Sequence, residues 1–479
     1  MDPSLRALNG FGLGARIGER SKIGDPRAWL KSQLRGGAPV LKPPAEATPK
    51  ALTEAIRAFR GVAQAASETA RQDARQEARR RLVEIAAAES RLTLGERVTT
   101  TRPFVERLVA FWSNHLCVST GAKALVAPLA GSYEREAIRP HVLGRFEDMV
   151  LASAKHPAML VYLDNLQSIG PTSTAARAAG RGRGRGAGRG LNENYARELL
   201  ELHTLGVDGG YTQQDVQELA RMLTGWTVGG LMPERPATAR GAIGGRNRGR
   251  ASMTPRETDE VEFVFQPLLH EPGSKTLLGT KYGESGVEEA ERAIRALCRH
   301  SSTSRFVATK LVRHFVSDDP PAAAVDRIAA RFRETGGDLR LVSEAIVDLP
   351  DAWTADGRKF RTPQDWVVAT LRAFNATEVN ALMLPVLRQL RHPLWSPQAP
   401  KGFGDAATEW ADPDSLLNRA ELSRSVSRRL RLPRLDPASL LDVVDVPAGD
   451  PLRAYLADTS IAAEERVALA LAGPAFQWR

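Results

Sequence analysis

The chain is short of cysteines, aromatics and long apolar runs, and each shortage narrows what it can be. Only Cys117 and Cys298 occur in 479 residues, and neither belongs to a CxxC pair. Zinc-finger and dithiol-redox arrangements are therefore excluded, and both thiols read as small buried hydrophobes rather than a disulfide framework. No run of about 20 apolar residues appears, so no transmembrane helix and no membrane insertion is expected. The opening MDPSLRALNGFGLGARIGER lacks the apolar stretch of a secretory signal, which points to the cytoplasm. The phosphate-binding P-loop, the GxSxG elbow, the HExxH zinc helix and the EF-hand loop are all missing. The glycine-rich GFGLGA at 10–15 follows no strand and lacks dinucleotide spacing.

What is present favours helices. Aromatics are 6% of a chain that is 42% hydrophobic, so the core must rest on Leu, Ala and Val. With Arg, the first two are strong helix formers. The expected fold class is all-α, a multi-helix assembly with one short β-hairpin near 261–279. There the apolar runs VEFVF (261–265) and KTLLG (275–279) flank a turn at Pro272 and Gly273. Strand–helix alternation is absent, which argues against a parallel sheet.

The net charge of +10 is localised. Residues 171–190 hold five Arg and no acid, and residues 231–256 hold six Arg and one Glu. These two stretches account for the whole excess and leave the rest of the chain neutral. Rich in Gly, Ala, Thr and Pro, they read as disordered insertions with weak attraction for an anionic polymer. The organisation expected is an N-terminal helical part (1–170), an insertion (171–190), motif helices (191–230), a second insertion (231–258), and a hairpin with a C-terminal helical part (259–479).

The segment NENYARELLELHTLG (192–206) is the most informative. At 100° per residue, Tyr195, Ala196, Leu199, Leu200 and Leu202 form an apolar arc with His203 near its middle. Glu193, Arg197 and Glu201 form a charge ladder on the opposite face, and Glu198 sits at the boundary. A histidine on a buried stripe is a satisfied core residue, a general base or a metal ligand. Its i±4 neighbours are Leu199 and Val207, so a metal would need ligands from elsewhere, such as His115 or His270. Other helix starts are legible. Thr212 with Asp215, and Thr362 with Pro363 and Asp365, read as capping boxes. Asn114–His115 reads as a packing pair, and Lys310 with His314, one turn apart, as a solvated basic face.

HPAMLVYLDN (156–165), LNENYARELLELHTLGVDGGYTQQDVQELARMLTGW (191–226), HEPGSKTLLG (270–279), FVATKLVRHFVSDDPP (306–321), PKGFGDAATEW (400–410) and the opening NGFGLGARIGE with GDPRAWLKSQL together resemble the bacterial domain of unknown function 1800 family. The resemblance spans nearly the whole chain outside the insertions and parts of 40–95. It implies no activity. It implies a periplasmic or envelope setting for many relatives, in tension with the missing signal. Where the family's turn reads His-Asp, this chain has His270-Glu271, a longer acid. Both insertions leave from and return to motif elements, which places a surface cleft near Asp164, Asn165, Asn194, Glu198 and His270.

Two functions compete. One is a scaffold or accessory factor of an envelope pathway with a protein partner. The other is an acid–base, hydrolase-like enzyme whose site gathers His203, Glu198, Asp164, Asn165, Asn194 and Lys275 around the 191–206 helix. In its metal-dependent form, a divalent ion would be held by His115, His203 and His270.

Overall fold

Proline and capping side chains set the helix starts. The computed structural model describes residues 2–62, 68–180, 190–231, 260–354, 358–379, 383–429 and 436–479. Among these residues helix accounts for 63% and strand for 4%. The long helix α1 (Glu68–Thr99) leads into α2 (Pro103–His115), which has Pro at its first position and buries almost every side chain. The buried set includes the polar Glu106, Arg107, Ser113 and His115 as well as the apolar side chains, so α2 is an interior helix. Next come α3 (Asn194–Glu198, continued by a π-helical turn at Leu199–His203), α4 (Gln213–Leu223), α5 (Val287–Arg299), α6 (Ser301–Phe315) and α7 (Pro363–Ala373).

The core is continuous from Leu5 to Phe476. At its centre Phe11 packs against Phe104 of α2 at 5.6 Å, Phe315 of α6 at 5.7 Å and Trp353 at 5.2 Å between ring centroids. Beside this cluster Arg6 is buried and donates to the carbonyls of Ala352, Phe315 and Arg479. No described helix is long and apolar enough to cross a membrane.

Strand content among the described residues is two short antiparallel pairs. β1 (Trp226–Val228) pairs with β2 (Phe263–Phe265), and β3 (Lys275–Leu277) with β4 (Thr280–Tyr282). Both apolar runs expected as strands are strands, but they do not pair with each other. Residues 267–269 coil into a 3-10 turn between them. β2 instead finds Trp226–Val228, and β3 turns back at once through Leu278 and Gly279.

The first insertion was expected to be disordered from 171, yet Thr174–Gly180 forms a helix with the Ser173 hydroxyl accepting from Ala176 N. Residues 181–189 and 232–259, and with them most of the stretches read as contacting an anionic polymer, lie outside the described residues. The box at Thr212–Asp215 is complete in both directions. At Thr362 only half forms: its hydroxyl accepts from Asp365 N at 3.2 Å, while the Asp365 carboxylate turns inward.

Candidate functional site

The sequence-predicted residues divide among several places. Asp164 is half exposed and pairs with Lys123 at 2.7 Å. Asn165 is buried, its Nδ2 donating to the carbonyls of Leu223 and Trp226, so it ties a turn to the end of α4. Asn194 is exposed at the start of α3. Glu198 is partly buried, and burial together with Glu201 raises its carboxyl. The ladder on this helix forms, with Arg197 3.7 Å from Glu193 and 3.5 Å from Glu201.

Lys275 and His270 belong to a second group. His270 Nδ1 donates to the Thr224 carbonyl at 2.9 Å, and its Nε2 lies 3.2 Å from Glu289 Oε2. Lys275 Nζ donates to the same oxygen at 3.1 Å and to the Glu271 carbonyl at 2.5 Å. Glu289 is fully buried. The cluster ties β3 and the 270–271 turn to α4 and α5.

His203 and His115 do come together. His203 ends the π-helical turn of α3, fully buried as the apolar arc required, and burial with nearby Lys310 pushes its imidazole down to about 3. Its backbone carbonyl accepts from His115 Nε2 at 3.2 Å. That bond puts the His115 proton on Nε2 and leaves Nδ1 as an acceptor. His115 Nδ1 is buried and has no hydrogen-bond partner among the described residues. No group of three or more His, Cys, Asp or Glu side chains among the described residues is arranged to hold a metal; His270 stands in its own cluster.

The His115 ring lines a cavity of about 330 Å³ built from α2, α6, the start of α7 and the 392–405 loop. α6 supplies Lys310 and His314, which the sequence had suggested would lie on a solvated face. Both sit beside the buried stripe of Val307, Leu311 and Phe315 and line the cavity. The loop supplies Asp405. Gly402 lets it approach α2: its φ is +83°, and a Cβ there would meet the Asn114 carbonyl at 2.4 Å. Asn114 clamps it, donating to the Phe403 carbonyl at 2.9 Å and accepting from Phe403 N at 2.8 Å.

His314 Nδ1 lies 3.0 Å from Asp405 Oδ2. Burial works to raise the Asp405 carboxyl, but His314 and Lys359 outweigh it and hold it at about 2. The carboxylate can therefore only accept, so Nδ1 carries the imidazole proton and Nε2 keeps its lone pair. Burial holds His314 below the ordinary histidine value, so the ring is neutral. Its Nε2 is buried and unbonded among the described residues. Asp405 is itself held from behind: the fully buried Lys359 donates to its carbonyl at 2.7 Å and pairs with Asp318.

The rest of the wall is basic and apolar. Asp365 accepts from Arg107 Nη1 at 3.2 Å and lies 3.2 Å from Arg479 Nε. Burial would raise Asp365, yet the two arginines hold it well below the carboxylate range. Lys310 forms no ion pair among the described residues, and burial pushes its ammonium down to about 8. The Cys117 thiol donates to the Pro400 carbonyl at 3.0 Å, and burial pushes it up to about 12, so it is no thiolate. His392, down to about 3 through burial, packs between Phe403 at 4.1 Å and Trp410 at 4.6 Å.

Sequence reasoning passed over Asp365, Asp405 and His392 as site residues. A signal existed for one: Asp405 lies inside the family-like PKGFGDAATEW segment. The family model described as a protein of unknown function (DUF1800) matches residues 6–478. Comparison with curated proteins and with solved structures finds no match.

Proposed function

The chain belongs to the DUF1800 family of proteins of unknown function, and from that premise we propose that its cavity is the active site of an acid–base hydrolase acting on a small molecule. The observation that carries this reading is the Asp405–His314 pair in the cavity lining, whose second ring nitrogen is buried and has no hydrogen-bond partner among the described residues. A carboxylate fixing an imidazole tautomer so that the other nitrogen can take a proton is the arrangement general-base catalysis requires. Water donates its proton to His314 Nε2 while its oxygen bonds to the substrate's carbonyl carbon. The carbonyl electrons move onto oxygen, and Lys310, one helical turn away, offers positive charge to that oxyanion. The intermediate collapses as the imidazolium returns the proton to the leaving group.

A purely structural role is less well supported. His314 Nε2 and His115 Nδ1 lack a hydrogen-bond partner among the described residues and belong to side chains that line the cavity, whereas the equally unpartnered Asn165 Oδ1 and Glu289 Oε1 belong to side chains outside its lining. His203 belongs to the same reading as the support of His115. The test is hydrolysis of a panel of p-nitrophenyl esters and anilides. His314→Gln and Asp405→Asn are each expected to lower kcat by about 10²-fold or more, with folding checked by circular dichroism. Turnover unchanged in both variants, or no turnover of any panel member by the parent, would remove the reading.

A further inference from the structure

The charge on the cavity wall does not balance. Five cations line it, Arg97, Arg107, Lys310, Arg313 and Lys401, against two acids, Asp365 and Asp405. Both acids are already engaged, Asp365 by Arg107 and Arg479, Asp405 by His314 and Lys359. Arg97 is answered by Glu134 at 3.0 Å, behind the wall. That leaves Lys310, Arg313 and Lys401, none of which has a carboxylate partner among the described residues. Arg313 and Lys401 are exposed and form the rim, while Lys310 lies deeper. Between rim and floor the wall is apolar, with Phe306, Leu394, Trp395 and Phe403. Low-dielectric walls between like charges focus their field on whatever enters.

We infer that the ligand of this cavity is a small amphiphile with a permanent oxyanion, a carboxylate or phosphate monoester, held at the rim by Arg313 and Lys401 with its apolar body against the aromatic wall. This rests on the cavity being the active site and names its substrate class. The two rim cations come from different elements, the exposed edge of α6 and the 400–405 loop, and both line the same cavity. The apolar wall gives the body of the ligand a place to leave water.

The test is calorimetric binding of four probes of equal chain length: octanoate, octyl phosphate, octanol and octylamine. Octanoate or octyl phosphate is expected to bind at least tenfold tighter than octanol, with octylamine weakest, and the tighter of the two identifies the head group. Arg313→Met with Lys401→Met should weaken the anionic probes roughly tenfold and leave octanol unchanged. These positions are exposed, so the fold is retained. Octanol binding as tightly as both anions, or the double variant binding octanoate undiminished, would overturn the inference. His314→Gln should keep its octanoate affinity while losing hydrolysis. Octanoate binding in a parent that hydrolyses nothing would sink the hydrolase reading and leave the ligand class standing.

Discussion

Asp365 Oδ2 lies 3.2 Å from Arg479 Nε, so a carboxylate in the first turn of α7 is the counter-charge for a buried guanidinium some hundred residues on in the chain. Arg107 shares it at 3.2 Å. Removing the shared acid leaves two buried cations with carbonyl partners only, Gly12 for Arg107 and Gly10 and His314 for Arg479. Asp365→Asn is therefore expected to lower unfolding free energy by about 3–5 kcal/mol, read by urea denaturation. A loss under about 1 kcal/mol would mean that the two arginines are satisfied by their carbonyl partners alone.

Lys275 and Glu289 allow the structural and catalytic readings of the second cluster to be separated. Glu289 is fully buried, with Lys275 Nζ at 3.1 Å. Lys275→Met strands that carboxylate and should destabilise the protein by about 3–5 kcal/mol. Adding Glu289→Leu should recover part of the loss, as a double-mutant cycle would show. Neither change should alter ester hydrolysis in the folded fraction. Lost turnover with stability intact would make Lys275 a catalytic residue instead.

Stability should fall in mild acid because of buried imidazoles. Burial holds His203 and His392 at about 3 in the fold, against 6.5 for a free imidazole. Between those values the unfolded chain takes up protons that the folded one refuses. This contribution is complete above the unfolded value and is lost as pH falls towards the folded one. At pH 5 the loss should be about 2 kcal/mol per histidine. Urea titrations at pH 7.5 and 5.0 measure it, and His203→Gln should show a correspondingly smaller difference between the two. Equal differences in parent and variant would show that His203 titrates normally.

Much of the helical architecture was legible because it is local. Proline at first helical positions, the Thr212–Asp215 box and the buried arc of α3 with His203 all follow from spacing within a dozen residues. The π-helical turn at Leu199–His203 was not legible, and it shifts the face that a regular helix would present. Leu202, placed on the buried arc by regular spacing, lies partly exposed at the cavity. The cavity's acids were missed for a related reason. Asp365 has the spacing of a capping carboxylate, and only the distant Arg107 and Arg479 pull it away. Lys310 and His314 have the spacing of a solvated face, but distant elements pack on His314, Phe111 of α2 at 5.2 Å between ring centroids and Asp405 of the loop at 3.0 Å. Strand pairing failed similarly, since VEFVF found its partner at Trp226–Val228 across the second insertion.

The cavity walls are drawn from α2, α6, α7 and the 392–405 loop, segments scattered over most of the chain. No fragment carries the pocket, and any compound that fills it favours the whole native state over the unfolded one. A ligand at a hundred times its Kd adds about 2.7 kcal/mol to unfolding. Melting temperature alone can therefore serve as the readout for a compound library, and the molecules that raise it would reveal the substrate's shape before any reaction has been assigned.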